Sequence, residues 1–278
     1  CKVSLACHSD MSSGIGTGYD VSATTFSPEG KIFQVDYAAK AVENSGTSIA
    51  LRVKDGVIFA VEKLFSSALL VPGSDRRIFA LDKHLGMTAS GLVGDIRHLF
   101  NRARAEAEAY KGNYGTPISV KLEADRLASY AALYTLYGGV RPFGATVLLG
   151  GVDRNGPQLY MVDPAGVTWG YFGAATGKAR QAAKTEIEKL DLANMDARTA
   201  VIEAAKIIHK VHDSAKDKIF ELELGWICAD SKNTFQMVPE QLFQEATEEA
   251  IKAVKEAEEA DDEEEEDDDE DQEAGAAQ

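Results

Sequence analysis

The order in which strand-like and helix-like segments follow one another constrains this chain more than any other feature. Ser27-Pro28-Glu29-Gly30 reads as a turn; after it Val35, Ala38, Ala39 and Val42 recur at helical spacing, and the pattern runs out at Asn44-Ser45-Gly46. Strands are then predicted at residues 47–53, 57–61, 78–81 and 85–90, the first two joined by the hairpin turn Lys54-Asp55-Gly56. Two helices follow at about 95–111 and 123–137, the second with Leu127, Tyr130, Ala131 and Tyr134 on one face. Strands return at 146–152, 158–162 and 167–171, helices at 177–190 and 197–212, strands at 220–228 and 234–238, and a polar helix from about Pro239. Blocks of strands alternating with pairs of helices exclude a parallel doubly wound sheet, which needs strand and helix in single alternation. Two antiparallel sheets stacked face to face, with helix pairs outside them, satisfy the order: a one-domain α+β fold layered α-β-β-α.

Charge divides the chain differently. The formal net charge is −16, but residues 256–278 hold fifteen acidic side chains and no basic one, which leaves thirty acidic against twenty-nine basic residues in the body. A nearly neutral body without clustered Lys and Arg argues against a nucleic-acid partner. The tail reads as a disordered, self-repelling segment able to dock basic partners, and no Ser, Thr or Tyr follows Thr247 to make it a phosphorylation switch. Residues 11–18 are rich in Gly and Ser and read as flexible. Met11 reads as a natural start, which makes residues 1–10 a leader outside the fold. The longest apolar runs, at 64–72 and 145–152, are too short to span a bilayer, so no membrane partner is expected.

Several local patterns invite chemistry and do not complete it. Gly14, Gly16 and Gly18 lack the flanking strand and helix of a dinucleotide fingerprint. Residues 173–178 resemble a phosphate loop one residue short, with Ala179 where a hydroxyl must hold magnesium; a helix N-terminus is the plainer reading. Arg141-Pro142-Phe143-Gly144 reads as a loop entering a strand rather than an anion clamp. His209 and His212 lack a third ligand, Cys1, Cys7 and Cys228 lack metal spacing, and Cys228 reads as a buried thiol, so neither metal nor cofactor is expected.

One long segment is more specific. Tyr19-Asp20-Val21-Ser22, with residues 26–38 running Phe-Ser-Pro-Glu-Gly-Lys-Ile-Phe-Gln-Val-Asp-Tyr-Ala, resembles the N-terminal signature of proteasome alpha subunits. The likeness continues through Gly56-Val57-Ile58, Arg141-Pro142-Phe143-Gly144, Asp163-Pro164-Ala165-Gly166 and Gly177-Lys178-Ala179-Arg180-Gln181, covering about residues 11–255. The start sequence, Lys40-Ala41-Val42-Glu43-Asn44-Ser45 and the acidic C-terminus resemble one subtype within that family; the inserted Gly14 and the longer tail depart from it.

The resemblance implies an N-terminal-nucleophile-type four-layer αββα sandwich spanning residues 19–255, and a non-catalytic gating and structural role in the outer ring of the core particle. Active relatives use a freed threonine whose own amine is the base. The matching position here is Gly46, with Thr47 off by one, and the catalytic acid and lysine of those relatives match Glu62 and Arg77. Arginine holds its proton too tightly to assist transfer. The resemblance assigns Tyr19, Asp20, Pro28 and Tyr37 to the cluster that holds the open gate, and Ser45, Arg77 and Leu92 to a pocket for activator C-termini. It further implies other alpha subunits, beta-ring subunits and regulatory ATPases or other activators as partners, and a cytoplasmic and nuclear location. An active threonine hydrolase of the same fold and a free acidic chaperone are the competing readings.

Overall fold

The structure is a computed structural model and describes residues 18–64, 69–71, 73–212 and 220–256. The assigned leader (residues 1–10), the segment 11–18 apart from Gly18 and the acidic tail apart from Glu256 lie outside the described residues.

Helix α1 (Phe33–Glu43) precedes four strands: β1 (Ser48–Val53), β2 (Gly56–Leu64), β3 (Ile78–Asp82) and β4 (Leu85–Gly91). The pair α2 (Val93–Tyr114) and α3 (Val120–Leu133) comes next. Then follow β5 (Ala145–Asp153), β6 (Gly156–Val162), β7 (Thr168–Gly170) and β8 (Gly173–Thr176). The chain continues through α4 (Arg180–Glu188), α5 (Ala197–Val211), β9 (Phe220–Cys228), β10 (Gln236–Met237) and a helix α6 over residues 240–256. Every strand pairing is antiparallel, in two five-stranded sheets ordered β10-β9-β2-β1-β8 and β3-β4-β5-β6-β7.

Three apolar layers hold the four structural layers together. Ile49, Leu51 and Ile58 of the first sheet pack on Ala183, Val201 and Ile208 of α4 and α5 and on Ala246 and Ala250 of α6. Met87, Val147 and Leu149 of the second sheet pack on Ile96, Leu99, Leu127 and Ala131 of α2 and α3. Ala50, Val57, Phe59, Leu148 and Ile227 fill the space between the sheets. Side chains in a strand alternate between faces, so β1, β2 and β5 are apolar on both sides and read as continuous runs. The sheets approach closely where Gly150 faces β2: a Cβ there would stand 2.7 Å from Val57 Cγ1. The αββα architecture is the one the segment order predicts.

Two details differ. Residues 173–176 form the edge strand β8, paired with β1 from Ser48↔Thr176 to Leu51↔Gly173, where the sequence suggests a helix N-terminus. Gly-Ala-Ala-Thr carries little strand propensity, and close packing dictates it: a Cβ on Gly173 would meet Ile187 of α4 at 2.4 Å. Helix α4 accordingly starts at Arg180, after Gly177 turns the chain at φ +102°. Helix α3 ends at Leu133 rather than near 137, because residues 134–136 already form turns leading to Gly138-Gly139.

Candidate gate and docking site

The residues assigned to the gate flank the turn that leads into α1. Ser27-Pro28-Glu29-Gly30 is a turn as its composition predicts. The Gly30 N–H donates to the Ser27 carbonyl at 2.8 Å, and the Ser27 N–H donates to the Lys31 carbonyl at 2.9 Å. The Ser27 hydroxyl accepts from the Lys31 N–H at 3.1 Å, and Gly30 takes φ +77°, which a glycine adopts without a Cβ penalty. Tyr37, one turn into α1, donates its hydroxyl to Asp20 Oδ2 at 3.4 Å, and the Gln34 side-chain amide donates to the Asp20 carbonyl. Desolvation and the Asp20 carboxylate push the Tyr37 phenol up, so it remains a donor at neutral pH. Asp20 and Tyr37 are thus brought together, Pro28 stays exposed at the tip of the turn, and Tyr19 is 43% exposed. Among the described residues no hydrogen bond ties Tyr19 to the other three. Gln34 is a member of this cluster that the sequence did not single out; its spacing one turn before Tyr37 is the signal.

Ser45, Arg77 and Leu92 gather at one end of the sandwich, before β1, before β3 and after β4. The two sheets are linked there by Ser90, whose hydroxyl donates to the Gly46 carbonyl at 3.0 Å. Ser45 closes α1 by donating both its N–H (3.0 Å) and its hydroxyl (2.7 Å) to the Val42 carbonyl, and its own carbonyl accepts from the Lys178 N–H at 2.9 Å. Arg77 is half-buried; its N–H donates to Glu223 Oε2 at 2.9 Å, and its carbonyl accepts from the Thr88 hydroxyl at 3.1 Å. Burial lowers the Arg77 guanidinium against the pull of Asp75 and Glu223, and the like charge of Arg97 adds to the lowering. Leu92 precedes α2 with its side chain 46% exposed and its N–H on the Gly144 carbonyl at 2.8 Å. A basic group beside an apolar wall is suited to the end of a peptide chain.

The position matching a catalytic nucleophile is closed by backbone. A Cβ at Gly46 would lie 2.4 Å from the Glu62 carbonyl oxygen, and one at Gly177 would lie 2.4 Å from the Gly46 carbonyl oxygen. Thr47 is buried and committed: its N–H donates to Glu62 Oε2 at 3.0 Å and its hydroxyl accepts from the Ala179 N–H at 3.3 Å, next to the start of α4. Glu62 does not meet Arg77. Its other oxygen contacts His212 Nδ1 at 2.6 Å, at the end of α5. The neighbouring Lys63, 3% exposed, is held by Asp75 at 3.1 Å and Glu221 at 3.0 Å.

The other patterns resolve into packing. Arg141 forks onto Asp95 (2.6 and 2.9 Å), which also accepts from the Gly144 N–H at 2.9 Å. Burial alone would raise the Asp95 carboxyl, but these bonds hold it below its usual range. The motif therefore anchors the loop entering β5, beside a cleft of about 390 Å³ lined by His98, Tyr134 and Phe143. His209 meets Phe220 edge-on with ring centroids 4.9 Å apart, His212 lies tilted against it at 4.3 Å, and Cys228 is a buried free thiol. Among the described residues no group of His, Cys, Asp and Glu has the geometry of a metal site.

Comparison with known proteins adds what geometry alone does not supply. Residues 42–227 match the family described as proteasome subunit, and residues 19–41 match the N-terminal signature of A-type proteasome subunits. The chain is 60% identical over 242 residues to the proteasome subunit alpha type-3 of Acanthamoeba castellanii, covering 87% of this chain and 96% of that one. Its identity to the proteasome subunit alpha type-3 of Spinacia oleracea is 57% over 244 residues, covering 88% and 98%. With the probable proteasome subunit alpha type-7 of Saccharomyces cerevisiae it is 51% over 244 residues, covering 86% and 85%.

Proposed function

This chain belongs to the proteasome subunit family, on its alpha side, and from that premise we propose that it is a non-catalytic component of the outer alpha ring, gating substrate entry and receiving activator C-termini. The observation that carries this reading is the covalent course of the chain from Asp20 through α1 to Gly46. Where a catalytic relative needs a free threonine amine, this chain has an occupied N-terminal side, no side chain, and a neighbouring carbonyl in the space a Cβ would take.

Gating follows from what the residues can do. The Tyr37–Asp20 bond and the Gln34 contact fix the segment entering α1, and so supply an anchor for the gate tail assigned to residues 11–18. Ser45, Arg77 and Leu92 supply a hydrogen-bonding edge, a cation and an apolar wall for an activator C-terminus. Val21, Phe26, Leu136 and Tyr137 are each more than 60% exposed, the kind of surface that neighbouring alpha and beta subunits bury. No helix among the described residues is long and apolar enough to cross a membrane. The protein acts in cytoplasm and nucleus, in ubiquitin-dependent and ubiquitin-independent protein degradation.

Native-gel migration with co-purifying subunits tests the proposal, and a free monomer overturns it. An intact N-terminal signature in the mature protein eliminates the hydrolase reading. Deleting residues 256–278 while assembly persists and holdase activity on basic proteins is lost would favour the chaperone reading instead.

A further inference from the structure

Fewer than half of the eleven arginines hold a carboxylate among the described residues. Arg102, Arg126, Arg141, Arg180 and Arg198 each form an ion pair. Three of the others, Arg76, Arg77 and Arg97, cluster around the turn at residues 73–77. Among the described residues no carboxylate lies within ion-pair distance of the guanidinium groups of Arg76, Arg77 or Arg97. Of the nearby acids, Asp75 binds Lys63 at 3.1 Å and Asp95 is clamped by Arg141, while the buried Glu223 takes the Arg77 main-chain N–H at 2.9 Å and acts on the guanidinium only through its field. Arg97 Nη2 donates to the Ser74 carbonyl at 3.4 Å, which holds this α2 guanidinium against the turn that delivers Arg77. Val93, 39% exposed, lies one helical turn before Arg97 and extends the apolar wall begun by Leu92.

We infer that Arg97 is a second anion-binding residue of the docking pocket, and that the pocket selects a dianionic peptide C-terminus. The terminal carboxylate meets Arg77, and an acidic side chain at the penultimate position meets Arg97, with Arg76 adding to the field. This rests on the pocket reading above. Two clustered guanidinium groups that form no ion pair among the described residues repel one another, and a ligand bearing two carboxylates relieves that repulsion while forming two charge-assisted contacts.

The test uses assembled particles containing the wild-type chain, R97Q or R77Q. Each is titrated at low salt with a photo-crosslinkable synthetic peptide in three versions: penultimate Glu, penultimate Gln, and Glu with an amidated terminus. Labelling of this chain is read by mass spectrometry. The expected result is half-saturation by the Glu peptide at roughly fivefold lower concentration than the Gln peptide, the scale of one partly exposed charge pair. R97Q abolishes that ratio and leaves the Gln peptide unchanged, whereas R77Q weakens both. Equal half-saturation of wild-type particles by the Glu and Gln peptides, or an unchanged ratio in R97Q, overturns the inference alone. Labelling indifferent to amidation overturns the pocket reading and the inference with it.

Discussion

Tyr37 in α1 reaches back seventeen residues to donate its hydroxyl to Asp20, so the first helix and the segment before it are held by a side-chain bond across an exposed turn. Removing only that hydroxyl, with Tyr37→Phe, leaves the ring stacked on Phe33 and is expected to loosen the segment before α1 without unfolding the domain. In the proposed role, basal peptide hydrolysis by the assembled particle changes while incorporation into the ring does not. Unchanged hydrolysis with and without activator removes Tyr37 from the gate. Tyr19→Ala is expected to disturb peptide entry in the same assay.

Gly46→Thr does not create an active hydrolase. Its Cβ would collide with the Glu62 carbonyl, and relieving the contact shifts β2 or the end of α1, at about 1–3 kcal/mol or more. Thermal unfolding of the full chain is expected to fall by several degrees with no new threonine-type hydrolysis. A stable, active variant refutes the closed-site argument.

His212→Ala leaves Glu62 buried with only the Thr47 N–H as a partner among the described residues, and is expected to destabilise the chain by about 1–3 kcal/mol. Replacing Glu62 by Gln as well returns part of that loss. Denaturant titration of the two single variants and the double variant measures the coupling, and additive losses mean that the pair does not act as one.

Glu123, in the first turns of α3, is fully buried with both carboxyl oxygens unpartnered among the described residues. Burial chiefly, with Glu106 adding and Arg126 and Arg102 opposing, raises its pKa from 4.5 to about 8. The folded chain therefore binds a proton that the unfolded chain has released between those values. This contribution to stability is full below about pH 4.5 and is lost as pH rises to about 8, at up to about 1.4 kcal/mol per pH unit. Glu123→Gln is expected to flatten that slope and to stabilise the chain at pH 8, read by urea midpoints from pH 5 to 9. An unchanged slope assigns the pH dependence to other groups.

The layers of this fold were legible because strand and helix blocks have different periods and arrive in an order that few architectures accept. Strand β8 was not legible, since its residues are small to admit α4 and carry no strand-like pattern of their own. At the site, the turn at Ser27–Gly30 and the missing side chain at Gly46 could be read directly from residue type. The pairing of Glu62 with His212 spans 150 positions, and no local spacing announces it. The same holds for Arg97, whose importance depends on where Asp75, Glu223 and Asp95 spend their charge, a matter of tertiary neighbours rather than sequence.

Gly46 and Gly177 touch through main chain, with the Gly46 carbonyl where a Cβ of residue 177 would sit and the Glu62 carbonyl where a Cβ of residue 46 would sit. Each glycine thus makes the other's replacement harder, and both sit at strand ends that the sheet pairing fixes. The two positions behave as one interlocked seam: a side chain at either must move main chain that the other also contacts, so a single substitution here is felt at both strand ends.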